Sequence, residues 1–433
     1  MDAQTRQTFI TLIQTEGWDR ATILAYQMQL LERLCRHARE HVPFYRNRLK
    51  PLFGKDDAFD LFSWKSVPVL TREEAWRNRD ALRADCVPPV MEPLILGSTT
   101  GSTGTPLPFY RSALSRTMAE AQLARALSWR KLGVLNPIAI SKAVTGDAAG
   151  QEYQPGQFIP ITDGPVTYVD FFLPAAGQAA HLRQIKPRLI ITYPNVALGW
   201  IDAGYDFNGV HALVLTGEAC TPEARARMEA AFDGHVVEMY SASEAGPIAL
   251  EGPTVRGGEP ILTVCEENVF LESPASGFSA ERPQPVIVTP FYSYGTPLIR
   301  YAPGDYALFA RGPAAETPGL RRIDRIVGRA RNLFRRKDGT SFWPNLSGAK
   351  MMAIAAHTHR QLVQEDYDRF VMRVVFDAPP SPEQLAQIRD HVAEVVGFLE
   401  KGGGGDIVIE PVTAIDDGRT QGKAYENFIC RIS

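Results

Sequence analysis

A segment rich in hydroxyl side chains and glycine occupies residues 99–106. It reads Thr-Thr-Gly-Ser-Thr-Gly-Thr-Pro and follows a short apolar run at 93–96. Backbone N–H groups and hydroxyls at such a turn can surround phosphate oxygens, and glycine permits a close approach of the ligand. The segment lacks the GxxxxGK[ST] order of a standard P-loop. Taken alone, it is more often typical of a solvated loop than of a phosphate site.

Other segments carry side chains that could complete a nucleotide site. Tyr240 and Glu244 follow a predicted strand at 236–237, so Tyr240 could stack on a base and Glu244 could hold a magnesium ion. Asp305 lies in a Pro-Gly-Asp turn, where its carboxylate could accept hydrogen bonds from ribose hydroxyls. Lys423 lies near the end of the chain, next to a glycine. Alone, these residues also fit an exposed strand end, an ordinary turn aspartate and a solvated lysine.

The middle of the chain predicts the layer that must position these residues. Short apolar runs at 189–192 and 213–216 predict buried strands, and a helix is predicted from Thr221 to about Phe232, with Thr221 as its N-cap. This strand–helix–strand spacing predicts parallel pairing in an α/β fold. Helical spacing is predicted earlier, at 21–40 and 112–131, and β-rich segments later, at 260–264, 269–271 and 286–289.

The last hundred residues predict a separate small α+β domain. A strand is predicted at 370–376 and another at 407–409. Between them, an amphipathic helix is predicted from Pro382 to Glu400, with Ser381 as N-cap and the glycine run 402–405 as its end.

Composition excludes several classes of protein. The chain has 433 residues, 45% of them hydrophobic, and a formal charge of -3, which argues against nucleic acid as the main partner. Five scattered cysteines favour reduced thiols. The sequence predicts neither a signal peptide nor a membrane span, and therefore a cytoplasmic protein.

Together, the segments resemble the ordered core motifs of the adenylate-forming superfamily, and most of all its phenylacetate–CoA ligase-like branch. Residues 99–106 are similar to the family's phosphate loop SSGTTGKP, and Tyr240 to Glu244 to its aromatic-x-x-[ST]-E motif. Residues 297–305 match PLIRYxxGD almost letter for letter. Gly328-Arg329 matches only the start of the GRxDD hinge, and Gly422-Lys423 matches the late GK element.

The resemblance implies an enzyme that activates a carboxylic acid. The acid attacks the α-phosphorus of ATP with magnesium bound, pyrophosphate leaves, and a thiol, typically of coenzyme A, then attacks the acyl-adenylate. It also implies a large multi-sheet α/β N-terminal domain at 1–327, a hinge at 328–332 that includes Arg331, and a mobile α+β lid domain at 333–433. The lid rotates between the two steps.

Site residues follow from the motif matches. Lys423, Glu244 and Arg329 are implied as catalytic, with Glu244 as the magnesium ligand and Lys423 between the carboxylate and the α-phosphate. The implied nucleotide-binding residues are Thr99, Thr100, Gly101, Ser102, Thr103, Gly104, Gly217, Glu218, Ala219, Tyr240, Ser243, Asp305 and Arg329. The implied acid pocket consists of Tyr193, Ser241, Ala242 and Gly246.

The sequence also departs from the family pattern. Thr105 stands where a lysine is common, and Arg331 and Asn332 replace the usual hinge acids. The cysteine of a zinc site is missing near 250–252, so no zinc is expected. Because 141–147 differs from the family stretch that borders the acid pocket, phenylacetate itself is not assumed as the substrate.

Several alternatives stay open. The acceptor could be a carrier-protein thiol, an amine or a hydroxyl instead of coenzyme A, and a non-catalytic nucleotide-binding homologue is a further reading. The arginine-rich stretch 321–337 could meet coenzyme A phosphates or a carrier protein, or be a solvated basic face. The expected partner is a small carboxylic acid, with no nucleic acid or membrane, in a monomer or homodimer.

Overall fold

The chain divides into two compact units, Met1–Ile326 and Val327–Ser433, each with its own core. The computed structural model describes residues 3–99, 107–133, 135–142, 165–171, 173–220, 222–256, 259–272, 283–310, 312, 317–329, 332–342, 344, 346, 348–397, 405–415 and 428–432.

The helices are named in chain order. They are α1 Ala3–Thr15, α2 Arg20–His41, α3 Tyr45–Arg48, α4 Arg72–Arg77, α5 Ala113–Ser128, α6 Ala175–Ile185, α7 Pro194–Asp202, α8 Pro222–Ala231, α9 Gly348–Ile354 and α10 Pro382–Val396. None of the helices in the described ranges is long and apolar enough to cross a bilayer.

The strands are named in the same way. They are β1 Leu70–Thr71, β2 Ile95–Ser98, β3 Pro108–Arg111, β4 Ile138–Lys142, β5 Val166–Asp170, β6 Leu189–Thr192, β7 Ala212–Leu215, β8 His235–Ala242, β9 Gly246–Arg256, β10 Glu259–Val264, β11 Val269–Leu271, β12 Gln284–Pro285, β13 Val288–Pro290, β14 Tyr301–Ala302, β15 Asp305–Phe309, β16 Arg322–Arg329, β17 Phe334–Arg335, β18 Ser341–Phe342, β19 His357–Asp366, β20 Arg369–Phe376, β21 Asp406–Pro411 and β22 Phe428–Cys430.

The first unit is organised around a ten-stranded sheet of order β12-β15-β16-β10-β9-β8-β7-β6-β4-β5. The half from β5 to β8 is parallel, and every residue of β6 and β7 is buried, as expected of strands covered on both faces. The predicted strand at 189–192 is confirmed, and the predicted parallel α/β layer with it. The carboxyl ends of β6, β7 and β8 therefore share one edge.

The predicted β-rich segment at 286–289 includes the start of β13 and lies where the chain passes between sheets, because β12 and β13 belong to different sheets. The N–H of Val286 donates to the carbonyl of Asp305, whereas the carbonyl of Ile287 accepts from the N–H of Glu272. The chain therefore crosses at these two residues from the large sheet to a four-stranded sheet of order β1-β14-β13-β11.

The second unit packs α10 on a four-stranded sheet of order β21-β20-β19-β22. The predicted N-cap is confirmed, because Ser381 and Gln384 form a capping box. The predicted end of the helix is wrong. Gly397 adopts a left-handed conformation with φ of 79° and ends α10 after Val396.

A buried ion pair joins α5 to the turn between β10 and β11. Arg125 Nη1 lies 2.8 Å from Glu267 Oε1, and both side chains are almost fully buried. Thr15 of α1 donates a hydrogen bond to the same carboxylate oxygen, and Gln122 donates to Glu267 Oε2 at 3.3 Å. The pair fixes the turn that precedes Asn268.

We expect Arg125→Met to lower the free energy of unfolding of the first unit by about 3–5 kcal/mol, because Glu267 is left buried without its cation. Urea denaturation measures this loss. The double variant Arg125→Met/Glu267→Leu, which removes both charges, should recover part of it. A single variant within about 1 kcal/mol of the wild type would contradict this role for the pair.

Candidate active site

The predicted phosphate loop is carried by the hairpin of β2 and β3. Ser98 pairs with Pro108, and the N–H of Thr99 donates to the carbonyl of Leu107 at 3.0 Å. The N–H of Leu107 in turn donates to Thr99 Oγ1 at 2.9 Å. Buried Thr99 therefore closes the base of the loop. The other predicted phosphate-binding residues lie outside the described residues, namely Thr100, Gly101, Ser102, Thr103 and Gly104.

Glu244 lies in the turn between β8 and β9, and its carboxylate is held from two directions. The hydroxyl of Tyr301 donates to Glu244 Oε1 at 2.6 Å, and Arg72 Nη1 lies 3.7 Å from the same oxygen. Arg72 also donates through Nη2 to Thr99 Oγ1 at 2.7 Å. Arg72 thus connects Thr99, at the base of the phosphate loop, to Glu244, and Tyr301 of the 297–305 motif contacts the same carboxylate.

The hydroxyl of Tyr301 stays protonated in this arrangement. Burial, and then the neighbouring Glu244 carboxylate, raise the pKa of Tyr301 well above its usual value. The hydroxyl can therefore act as a hydrogen-bond donor that orients the carboxylate across the neutral pH range.

Two predicted nucleotide residues lie in direct contact. The hydroxyl of Tyr240, on β8, donates to Asp305 Oδ2 at 2.8 Å, at the start of β15. The hydrogen bond sets the direction of the tyrosine ring and of the carboxylate together. A base stacked on Tyr240 would thus lie near the carboxylate expected to bind its ribose.

The parallel edge gathers a second group of predicted residues. Thr216 follows β7, and its hydroxyl lies 2.9 Å from the hydroxyl of Ser241 on β8. Gly217 has φ of 79°, and a Cβ placed there would lie 2.4 Å from Cε1 of Tyr193, which follows β6. Burial and the charge of Glu218 raise the pKa of Tyr193 to about 12. The Tyr193 ring therefore packs directly against the backbone of Gly217 at this edge of the sheet.

The remaining predicted residues are placed by their elements. Ala219 lies in the turn after Gly217, Ala242 ends β8, and Gly246 begins β9. The carbonyl of Ser243 accepts a hydrogen bond from Arg111 Nη2 at 2.6 Å.

Three of the predicted residues, Arg329, Arg331 and Lys423, belong to the second unit. Arg329 is the last residue of β16, a strand that begins in the first unit and passes into the second after Ile326. Arg331 and Lys423 lie outside the described residues. Their roles stay predictions.

Sequence reasoning missed Arg72, Arg111 and Asn268. Arg72 begins α4, behind the N-cap Thr71, and no motif surrounds it. Arg111 ends β3, the strand that follows the phosphate loop. That position was the sequence signal that could have identified it. Buried Asn268 donates through Nδ2 to the carbonyl of Pro247 at 2.6 Å and so holds the start of β9.

A small cleft, partly open to solvent, lies beside Glu244. It is lined by Phe109, Tyr110, Arg111, Ser115, Ala119, Glu244, Ala245, Gly246, Asn268, Pro290, Tyr292, Ser293 and Thr296.

The first arginine of the basic stretch 321–337 has a structural role. Arg321 Nε lies 2.5 Å from Oε1 of Glu266, which is fully buried, and Arg20 Nη1 approaches the same oxygen at 2.8 Å. Desolvation opposes ionisation of Glu266, but the two arginines lower the pKa of its carboxyl below the usual value. Arg321 is therefore part of an internal ion-pair network.

Several known proteins are similar to this chain in sequence or in structure. No family model matches the chain. The chain is 24% identical over 330 residues to the phenylacetate–coenzyme A ligase of Escherichia coli (strain K12), covering 71% of each protein. Its structure is similar to that of 2-hydroxyisobutyryl-CoA ligase in the postadenylation state with 2-HIB-AMP, with a TM-score of 0.67 and 17% identity over 95% of this chain and 88% of that one.

A benzoate CoA ligase from Burkholderia xenovorans LB400 is also similar, with a TM-score of 0.52 and 14% identity over 79% of this chain and 69% of that chain. The chain therefore has the fold of the adenylate-forming superfamily, with a large α/β and a small α+β part, as its motifs predicted. In sequence the chain is similar to a phenylacetate–coenzyme A ligase, the branch that its motifs resemble.

We expect Gly217→Ala to weaken ATP binding, measured by isothermal titration calorimetry, because the new methyl group must displace the Tyr193 ring. The left-handed conformation adds about 1–2 kcal/mol of strain and the displaced ring about 1–3 kcal/mol.

Gly209→Ala is the matched control. Gly209 has φ of 80°, but a Cβ there meets nothing within 4 Å. It should lose stability from strain alone and keep ATP affinity. Equal ATP affinities in the two variants would show that Gly217 is not part of the nucleotide site.

Proposed function

We propose that this chain is an acid–thiol ligase that activates a small carboxylic acid as its acyl-adenylate and then forms a coenzyme A thioester. The observation that carries the proposal is the convergence on Glu244, where Arg72 connects the carboxylate to Thr99 and Tyr301 fixes its direction. If these motifs were unrelated solvated loops and strand ends, no such connection between their side chains would be expected.

The first step needs positive charge around the triphosphate. Glu244 offers the hard oxygen ligand that magnesium prefers, and bound magnesium would neutralise charge on the phosphates. Thr99 and the loop that follows it would surround the phosphates, and Arg72 adds a guanidinium at the base of that loop. Lys423 would join the acid's carboxylate to the α-phosphate.

The nucleoside would bind along the carboxyl ends of β7 and β8. Tyr240 offers a ring for the adenine, with Gly217, Glu218 and Ala219 beside it, and Asp305 offers a carboxylate for the ribose hydroxyls. The hydrogen bond between Tyr240 and Asp305 supports this assignment, because it holds the two groups at one end of the ligand. Arg329 would assist at the ribose.

The second step would use coenzyme A as the acceptor. The 2-hydroxyisobutyryl-CoA ligase that this chain resembles is known in complex with 2-HIB-AMP and CoA in its thioesterification state, with a TM-score of 0.54. We infer that residues 333–433 rotate about a hinge at 328–332 between the two steps.

An amine acceptor is the second candidate. The amide bond synthetase McbA from Marinactinospora thermotolerans is similar to this chain with a TM-score of 0.50, so one fold serves both acceptors.

Pyrophosphate release tests the proposal. We expect the protein with Mg·ATP to release pyrophosphate when phenylacetate, benzoate, anthranilate or 2-hydroxyisobutyrate is added, and coenzyme A to give a thioester with at least one of them. The control omits the acid. Release with no thioester, but with an amide when amines are supplied, would favour the second candidate. No acid-dependent release from a wider panel of aryl and short acyl acids would refute adenylation.

A further inference from the structure

The hairpin that carries the phosphate loop is a sheet of its own. Within the described residues, β2 and β3 pair with each other and with no further strand. A two-stranded hairpin has little stability in isolation, because it buries too little apolar surface. Contacts with other parts of the first unit must therefore fix the position of this hairpin, and with it the position of the phosphate loop.

Two hydrogen bonds hold the end of β3 that lies away from the loop. The N–H of Tyr110 donates to Thr296 Oγ1 at 2.9 Å. Ser112 Oγ donates to the carbonyl of Tyr292 at 2.8 Å. Both partners lie in the segment that leads into the 297–305 motif, so the hairpin is attached on this side to the part of the chain that carries Tyr301.

Arg111, at the same end of β3, contacts the turn that carries Glu244. Its Nη2 donates to the carbonyl of Ser243 at 2.6 Å. The turn is tight, because the N–H of Ala245 donates to the carbonyl of Ala242 at 3.1 Å. Glu244 directly follows Ser243 in this turn, so a donor that holds the Ser243 carbonyl also restricts the backbone of Glu244.

The surroundings of Arg111 favour a firm contact. The side chain is partly buried, and its Cζ lies 5.4 Å from the centroid of the Phe109 ring on the same strand. A hydrogen bond from a charged donor contributes about 1.5–3 kcal/mol, which is a few times the thermal energy. The bond from Arg111 is therefore strong enough to hold the turn against the hairpin.

A second arginine connects the other end of the hairpin to the same residue. Arg72 joins Thr99, at the loop end, to the carboxylate of Glu244. Arg111 joins the far end of the hairpin to the backbone beside Glu244. The two ends of β3 are about 10 Å apart. Contacts at both ends prevent the hairpin from pivoting about either one.

The chemistry of magnesium makes the spacing between the hairpin and the turn important. Magnesium requires nearly ideal octahedral geometry, with ligands at about 2.0–2.1 Å. A magnesium ion shared between Glu244 and phosphates in the loop would therefore tolerate little displacement of the turn relative to the hairpin.

We propose that Arg111 is a positioning residue, which holds the Ser243 carbonyl and thereby fixes Glu244 relative to the phosphate loop. The proposal rests on the proposed function and adds to it a residue that no motif assigns. Its sign is opposite to that of a simple charge effect. The positive charge of Arg111 by itself repels a nearby cation, so its loss would strengthen magnesium binding, whereas loss of the positioning contact weakens it.

Calorimetric titration with ATP, with and without magnesium, compares the wild type with Arg111→Met and the control Arg83→Met. Arg83 is exposed and its Cζ lies 4.6 Å from the centroid of the Tyr110 ring, so the control removes a cation beside β3 and leaves the contact with the turn. In Arg111→Met we expect magnesium to strengthen ATP binding about 10-fold less than in the wild type, the loss typical when a residue that orients a metal ligand is removed. ATP binding without magnesium should equal that of the wild type, and the control should match the wild type in both titrations.

Four results would overturn the proposal. A gain from magnesium equal to that of the wild type would show that the contact does not position Glu244, and a larger gain would identify Arg111 as a repulsive charge. Weaker ATP binding without magnesium would show a general structural effect, as would an equal loss in the control. If circular dichroism shows that Arg111→Met has lost its fold, Arg111→Gln decides by the same outcomes, because its shorter, polar side chain lacks the charge and the reach.

Failure of the proposed function gives a different result. If the wild type does not bind ATP, or gains nothing from magnesium, both proposals fall. If magnesium strengthens ATP binding by the wild type and Arg111→Met matches it, the role of Arg111 alone falls.

Discussion

The fixed carboxylate of Glu244 is the constraint on which the rest of the site depends. Its oxygen receives the Tyr301 hydroxyl and faces Arg72, which continues to Thr99. These four residues come from distant parts of the chain, so the site exists only when the first unit is folded. If Glu244 is the proposed magnesium ligand, its fixed orientation is preorganised for the cation, and preorganised charge lowers the cost of a phosphoryl-transfer step.

The elements behind Glu244 supply that rigidity. Arg300, next to Tyr301, is buried against Glu272, with Nε 2.9 Å from Oε1 and Nη2 2.8 Å from Oε2. The arginine of the 297–305 motif is therefore a structural residue that sets the position of the tyrosine beside it. On the other side, the pair of Arg125 and Glu267 fixes the turn that carries Asn268.

The sequence was informative where a local pattern determines structure. Runs of apolar residues predicted β6 and β7, because a strand covered on both faces must be apolar throughout. Ser381 before Pro382 predicted the start of α10, because capping is a local hydrogen-bond requirement. The roles of Glu244 and Asp305 come from the resemblance of their motifs to a known family, and they stay predictions.

The rest depends on contacts between distant segments, which no local pattern encodes. Arg72 is an ordinary helix residue until folding places it between Thr99 and Glu244. Arg111 looks like a solvated end of a strand until the Ser243 carbonyl is known to lie 2.6 Å away. The end of α10 was misplaced because one glycine, Gly397, stops the helix before the longer glycine run.

The most direct measurement is calorimetric binding of ATP, with and without magnesium, to the wild type and to Glu244→Gln, with Glu73→Gln of α4 as the exposed control. If Glu244 holds the metal, magnesium should strengthen ATP binding by the wild type and the control. Glu244→Gln should lose most of that gain, about 10-fold or more in affinity, as expected when one charged ligand is removed. An equal gain from magnesium in all three proteins would contradict the account.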